Sequence, residues 1–133
     1  MKRTRLHNMP TKIKTLADAV LVEDPKKILF ISGQVGYEAS GNIPEGVEAQ
    51  MRQALENLKA ICEKAGGKFS DIVKRTIFLT NSEDLPKTRK VREEFYEKEG
   101  VREKDYPAGT ACVVSSLGRK EYLVEIEAIA VIS

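Results

Sequence analysis

The sequence has few of the residues that build metal sites and disulfide scaffolds. It contains two cysteines, Cys62 and Cys112, which lie far apart and outside any CxxC spacing, and a single histidine, His7. This scarcity argues against a zinc site and against a disulfide scaffold, and it fits a reducing cytoplasm. No metal-ligand cluster and no nucleotide-binding loop can be recognised, so we predict that the protein uses no metal and no cofactor.

Long apolar runs and a charge bias are also missing. No apolar run approaches the length of a membrane span, and we expect no membrane partner. The 22 basic and 20 acidic residues are interspersed and give a net charge of +2, which argues against a nucleic-acid partner. The segment Met1–Arg5 is basic, but no apolar segment follows it, so it is not expected to be a signal peptide. We therefore expect a cytoplasmic protein.

The remaining composition is that of an ordinary globular protein, with 41% hydrophobic and 32% charged residues in a chain of 133. This predicts a single domain over residues 1–133. Hydrophobic periodicity and turn residues predict seven elements. They are strands at 16–22 and 27–32 paired as a hairpin, a helix from 47 to about 65, a strand at 70–80, a helix from 85 to about 99, and strands at about 108–117 and 122–132 joined by a turn at 118–120.

The order β-β-α-β-α-β-β predicts an α+β fold in which two helices cover one face of a mixed sheet. The alternation of side chains in the final strand indicates whether the other face of the sheet is exposed or buried. Both of its faces are mainly apolar, although Glu125 and Glu127 interrupt one of them. Two helices cannot cover two apolar faces, so the pattern predicts that the second face is buried by other copies of the chain.

Five segments carry a family resemblance. They are Phe30–Gln34 (FISGQ), Gln50–Leu58 (QMRQALENL), Asp71–Leu79 (DIVKRTIFL), Tyr106–Thr110 (YPAGT) and Glu125–Ala130 (EIEAIA). Together, in this order, they resemble the RidA/YjgF family of reactive-intermediate deaminases over nearly the whole chain. Family annotation also includes the names endoribonuclease and translation initiation inhibitor.

The resemblance implies a chorismate-mutase-like subunit that assembles as a homotrimer, with the three sheets forming a central barrel. It implies that a small-molecule metabolite binds in clefts at the subunit interfaces. Archetypal members hydrolyse enamines and imines such as 2-aminoacrylate, releasing ammonia and a 2-keto acid. In those members an arginine fixes the substrate carboxylate, and a glutamate positions or activates water.

The resemblance also assigns positions in this chain. The catalytic glutamate corresponds to Glu125, and the carboxylate-binding arginine is replaced by Gly109. The other substrate-binding positions are Leu16 in place of a tyrosine, Ala111 in place of a cysteine, Arg89 in place of an asparagine, Gly33 as a wall of the cleft, and Tyr106, which either lines the cleft or packs beneath it.

Two of these positions have competing interpretations. A carboxylate on an apolar strand face is costly to bury unless it is paired, so Glu125 is either a group that handles water or half of an interface ion pair with Arg75 or a neighbouring subunit's lysine. At Gly109, loss of a bidentate arginine contact should cost about 1.5–3 kcal/mol, roughly 10- to 150-fold in binding. This argues against the archetypal activity unless Arg89 or Arg119 binds the anion. The alternative is that both arginines are solvated.

Three functions follow, in order of preference. The first is a hydrolase of an imine, enamine or related carbonyl metabolite that uses Glu125. The second is a non-catalytic metabolite-binding trimer. The third is an endoribonuclease or translation inhibitor, which normally needs two groups that titrate near neutrality, whereas the chain has one histidine in its N-terminal arm. The basic run at 87–92 is interpreted as a solvated helix face.

Overall fold

A computed structural model describes residues 1–10 and 13–133, which form a two-stranded sheet, a four-stranded sheet and two α-helices. The elements are β1 (Lys2–Leu6), β2 (Ala19–Glu23), β3 (Lys27–Gln34), α1 (Val47–Lys64), β4 (Ile72–Leu79), α2 (Asp84–Lys98), β5 (Ala108–Val113) and β6 (Val124–Ile132). Short 3-10 helices precede β4 at Phe69–Asp71 and β5 at Glu103–Asp105. Neither α-helix is long and apolar enough to span a bilayer, a statement that covers the described residues.

The N-terminal region differs from the prediction. The predicted hairpin between 16–22 and 27–32 is wrong, because β2 pairs antiparallel with β1 and not with β3. Strand β1 was missed because its sequence KRTRL has no apolar alternation. Its arginines hold it in place instead: Arg3 forms an ion pair with Asp71 at 2.9 Å, and Arg5 donates from Nε to the carbonyl of Tyr106 at 3.0 Å.

The four-stranded sheet has the order β3-β6-β4-β5. Strand β6 is antiparallel to both β3 and β4, whereas β4 and β5 are parallel. The predicted closing hairpin of the last two strands is therefore wrong, because β4 lies between them. The physical reason is the helix between β4 and β5: a crossover helix returns the chain to the same end of the sheet and so produces a parallel pair.

Two helices on a mixed sheet, the core of the predicted α+β fold, are confirmed, and the bounds of both helices agree with the sequence pattern within a few residues. The apolar stripe of α1 packs on one face of the sheet. Its residues Met51, Leu55 and Leu58 are almost fully buried, as are Ile77 of β4 and Ile126 of β6, which pair across the two central strands. This layer forms the core of the chain.

Much of the opposite face of the sheet is uncovered within the described chain, and we call it the open face. Phe30 exposes 74% of its surface there and Ile28 exposes 51%. Strand register places Ile129, beside Phe30, and Phe78, opposite Glu125, on the same side. An exposed apolar patch of this kind usually marks an interaction surface.

The helix-covered face should determine the stability of the fold. We expect Ile126→Ala to lower the free energy of unfolding by about 2–5 kcal/mol, because the substitution leaves a cavity where the side chain is 1% exposed. Chemical denaturation at a fixed protein concentration measures the effect. Leu21→Ala is the control, since Leu21 is 53% exposed on β2, and its change should stay within about 0.5 kcal/mol. Equal losses in the two variants would contradict this packing.

Candidate functional site

Gly33 and Glu125 lie against each other where β3 ends and β6 begins. A Cβ atom on Gly33 would stand 2.9 Å from Cδ of Glu125 and closer still to its Oε2 atom. Such a separation is shorter than real Cβ contacts, so only glycine leaves the carboxylate in its present position. The structure thus brings together two of the residues that the sequence analysis assigned to a cleft.

The glutamine and asparagine residues of α1 anchor the loop that follows Gly33 and the segment that precedes Glu125. Asn57 donates from Nδ2 to the carbonyls of Val35 at 3.2 Å and Tyr37 at 3.0 Å, in the loop that follows Gly33. Gln53 donates to Oδ1 of Asn57 at 2.9 Å and fixes the orientation of its amide. The asparagine of the QxxQxxxNL segment therefore serves to anchor the glycine-rich loop on the helix.

Gln50 performs the same task for the start of β6. It is 2% exposed, and its Nε2 atom donates to the carbonyls of Pro44 at 3.1 Å and Glu121 at 2.9 Å. Its Oε1 atom accepts from the backbone N–H of Leu123 at 2.9 Å, two residues before Glu125. One buried amide with three bonds thus ties the loop after β3 to the strand that carries the glutamate, and the relative position of Gly33 and Glu125 is fixed.

Gly109 and Leu16 form a second group. Gly109 pairs with Arg75 across the parallel strands β5 and β4. A Cβ atom at Gly109 would lie 2.8 Å from the carbonyl oxygen of Arg75, 3.0 Å from its Nη1 atom and 3.1 Å from Cδ1 of Leu16. The space beside Gly109 is therefore not empty, because the guanidinium of Arg75 from the neighbouring strand lies there.

Tyr106 lies next to this second group, where its ring packs against neighbouring rings and also lines a cavity. Its ring packs against Tyr96 of α2 and edge-on to His7, with centroid distances of 6.0 and 6.4 Å. It also lines, together with Leu16, a cavity of about 280 Å³. Ala17 donates its backbone N–H to the carbonyl of Pro107 at 2.8 Å, which holds the segment around Leu16 on this wall.

The two groups lie on opposite faces of the sheet. Arg75 has the parity of the buried residues Ile77 and Leu79, on the helix side. Glu125 faces the other way, opposite Phe78. An ion pair between Glu125 and Arg75 of the same chain is therefore excluded, and an ion pair across a subunit interface stays a prediction. Gly33 and Glu125 can meet Gly109, Leu16 and Tyr106 in one cleft only if a second copy of the chain supplies one of the two groups.

The remaining candidates are more exposed. Arg89 lies exposed on α2, and Arg119 is exposed and paired with Glu121 at 2.8 Å, so Arg119 already has a counter-ion. Ala111 is exposed on the edge strand β5. Cys112 is half buried, and its pairing with Phe78 places it on the open face. Residues 1–10 and 13–133 contain no group of three or more His, Cys, Asp or Glu side chains arranged to hold a metal.

Two buried arginines are what the sequence analysis missed. Arg75 is 3% exposed and Arg92, on α2, is 4% exposed. Burial first, and then the positive charge of Arg75, lowers the pKa of Arg92 to about 10. The sequence carries only a weak signal for their burial. Arg75 was considered only as an ion-pair partner, and Arg92 lies in a basic run that resembles a solvated helix face.

Comparison with known proteins agrees with this architecture. The family model described as Endoribonuclease L-PSP matches residues 8–132. The chain belongs to the RidA/YjgF family. It is 36% identical over 131 residues to the 2-iminobutanoate/2-iminopropanoate deaminase of Salmonella typhimurium, covering 98% of this chain and 97% of that protein.

Solved structures of RidA/YjgF relatives superimpose on nearly the whole chain. A Yersinia pestis protein of unknown function, from the conserved Rid family, gives a TM-score of 0.83 at 28% identity and covers 99% of this chain and 100% of its own. The yjgF gene product of Escherichia coli gives a TM-score of 0.73 at 34% identity, with 98% coverage of each chain. Both the sequence and the fold therefore place the chain in this family.

The glycine contacts predict a ranking of alanine variants. Gly109→Ala should cost about 1–3 kcal/mol of unfolding free energy, because its new methyl group would meet backbone. Gly33→Ala should cost about 0.5–1.5 kcal/mol, because a flexible carboxylate can rotate away. Urea denaturation measures both.

Gly118→Ala is the control, since its Cβ would meet only Tyr122, at an ordinary 3.6 Å. A second check is the Glu125→Ala background, in which the cost of Gly33→Ala should disappear. A cost that is unchanged in that background would show that the carboxylate does not occupy the space beside Gly33.

Proposed function

We propose that this protein hydrolyses imines or enamines of small metabolites in clefts between the subunits of a homotrimer. Membership of the RidA/YjgF family supports a deaminase-type hydrolase, as does 36% identity to a relative named as an imine deaminase. The observation on which the proposal depends is the Glu125 carboxylate, held against Gly33 on the open face.

The reaction needs one group that moves protons, and Glu125 is suited to the task. Water adds to the C=N carbon of an imine while the carboxylate accepts one of its protons and passes it to nitrogen, which gives a neutral carbinolamine. The carboxylate then moves the hydroxyl proton of the carbinolamine to nitrogen, the C–N bond breaks, and ammonia leaves as the C=O bond forms. Glu125 belongs to none of the ion pairs found in the described residues, so its carboxylate is not committed to a cation of its own chain.

The homotrimer is supported by the open face and by the separation of the candidate residues. A phenylalanine with 74% exposure, in a sheet with one uncovered face, is typical of a surface that pairs with another copy. In a closed barrel of three chorismate-mutase-like sheets, the open faces turn inward. The Gly33–Glu125 group of one chain can then lie beside the Gly109 group of a neighbouring chain.

A variant of Glu125 distinguishes the alternative functions. A non-catalytic metabolite-binding trimer would keep its ligand affinity when Glu125 is changed to glutamine, and it would show no turnover before or after. Cleavage of RNA is less favoured, because it normally needs two groups that titrate near neutrality and the sequence contains a single histidine, His7.

A panel of imines generated in situ tests the reaction. We expect ammonia and carbonyl release from at least one member, and we expect Glu125→Gln to lower kcat by about 100-fold or more, the usual contribution of a general base. Glu127→Gln is the matched control, since Glu127 lies two residues along the same strand, on the same face, and is exposed. It should retain most of the activity. Equal activity in the Glu125 variant and the parent would remove Glu125 from the mechanism.

Phe30→Asp tests the assembly. A charge placed in the apolar open face should prevent the sheets from packing, so the particle should fall from three copies to one and turnover should fall with it. Light scattering coupled to size exclusion measures the mass, and circular dichroism verifies that the subunit is folded. Lys26→Asp, exposed in the turn before β3, is the control. A parent protein that is monomeric at micromolar concentration would contradict the proposal.

A further inference from the structure

A second cavity, of about 580 Å³, lies between α2, the segment around the 3-10 helix at Glu103–Asp105, and residues 14 and 15. It differs from the smaller cavity beside Leu16, because α2 contributes residues to it and neither Leu16 nor Gly109 does. Glu125 and Gly33 do not line it either, and Tyr106 is the one candidate residue that does. The proposed reaction therefore gives this cavity no role.

Buried side chains form the inner wall of this cavity, which we call the floor. They are Thr15, Tyr96 and Val101, with exposed fractions of 1%, 4% and 6%. The half-buried ring of Tyr106 extends the floor, with its centroid 6.0 Å from that of Tyr96. Two tyrosine rings and a valine provide apolar surface for a short aliphatic chain, which is the usual character of a small-molecule site.

The hydroxyl of Thr15 is a polar group of the floor that has no hydrogen-bond partner in the described part of the chain. Buried polar atoms are almost always satisfied, and a buried hydroxyl without a bond is costly. The hydroxyl is therefore available to a partner that enters the cavity.

Four carboxylates line the same cavity. Glu93, Glu94 and Glu97 come from α2, and Glu103 comes from the 3-10 helix. None of the four belongs to the five ion pairs found among residues 1–10 and 13–133. Within those residues no three such side chains are arranged to hold a metal, so an organic cation fits these carboxylates better than a metal ion does.

Three cations, Lys14, Lys90 and Arg102, also line the cavity. They too are absent from the ion pairs of the described residues. Lys90 lies three and four residues before Glu93 and Glu94 on α2, a spacing at which ion pairs commonly form, and yet it pairs with neither. Charges of both signs thus surround the cavity without neutralising one another, which suits a ligand that carries both signs.

We propose that this cavity binds a basic amino acid such as lysine. Its four carboxylates exceed its three cations by one, and free lysine carries two ammonium groups and one carboxylate at neutral pH. Lys14, Arg102 and the hydroxyl of Thr15 are donors for the ligand carboxylate, and the glutamates accept from its ammonium groups. The methylene chain lies on the tyrosine floor. The proposal does not depend on the proposed function.

Three ligands that differ by one group test the assignment in the parent protein. We expect calorimetry to show saturable binding of lysine. Binding should be weaker by about fivefold or more for norleucine, which lacks the side-chain ammonium, and for 1,5-diaminopentane, which lacks the carboxylate. Equal or tighter binding of either truncated ligand would overturn the proposal, as would the absence of saturable lysine binding at millimolar concentration.

Thr15→Val tests the hydroxyl without changing the branched shape of the side chain, at a position where φ is 72°. Lysine binding should weaken by about fivefold or more. The melting temperature of the free protein should not fall, because no hydrogen bond is lost. Thr88→Val is the matched control, since its buried hydroxyl donates to the carbonyl of Asp84 at 3.0 Å. It should lower the melting temperature and leave the Kd for lysine within about twofold.

A carboxylate variant and a spectroscopic readout locate the ligand. Glu97→Gln should weaken lysine binding by about two- to fivefold, whereas Glu63→Gln, exposed on α1 and outside the cavity, should not. In ¹⁵N-labelled parent protein, lysine should shift the backbone amide resonances of Thr15, Glu97 and Arg102. Shifts centred instead on Gly33 and Glu125 would place the amino acid in the proposed imine site and overturn the proposal.

The outcomes separate this site from the proposed function. Lysine binding that Thr15→Val weakens, in a protein that hydrolyses no imine, would support the amino-acid site and refute the hydrolase. Imine turnover that persists in Thr15→Val, together with weakened lysine binding, would support both and show that they are separate. A Thr15→Val protein that binds lysine as tightly as the parent would overturn the amino-acid site whatever the imine assay shows.

Discussion

The central strand β6 is the constraint on which the rest of the structure depends. It pairs with β3 on one side and β4 on the other, and its even-numbered residues from Val124 to Ile132 are all buried under the helices. Its odd-numbered residues must then face the other side, and among them is Glu125. The alternation of a single strand therefore both builds the core and sets the glutamate on a surface that has no cover of its own.

The side-chain amides of α1 fix the position of Gly33 relative to Glu125. Hydrophobic packing alone would place the helix on the sheet with some freedom to slide. Gln50 and Asn57 remove that freedom by bonding to backbone groups of the loop after β3 and of the segment before β6. A buried amide that lost its partners would cost more than it contributes when bonded, so these contacts specify one register. The distance between Gly33 and Glu125 follows from that register.

The sequence was sufficient for the features that depend on periodicity or on strong motifs. The stripe of α1, the two helices on a mixed sheet and the two-sided character of β6 all came from local patterns. Strand pairing could not be predicted in this way, because the sequence pattern of a strand does not identify the strand beside it. The predictions paired β2 with β3 and β5 with β6, and both pairings are wrong. Strand β1 was missed because hydrogen bonds and an ion pair from its arginines hold it, and these leave no periodic trace. The buried positions of Arg75 and Arg92 were missed for a related reason, since burial of a charge depends on tertiary packing.

The pairing of β6 also has a consequence for how the chain folds. The two strands that flank it, β3 and β4, have no contact with each other in the ladder and are joined only through residues 124–132. During synthesis the residues before 124, which are more than nine-tenths of the 133 residues, therefore carry sheet edges and an apolar helix stripe that no strand yet covers. Folding rates fall as contacts become more distant in sequence, and unpaired edges are prone to aggregation. A translational pause or a truncation before β6 would thus be more damaging than one in the N-terminal arm, and a chaperone that shields nascent chains would be of most use in that interval.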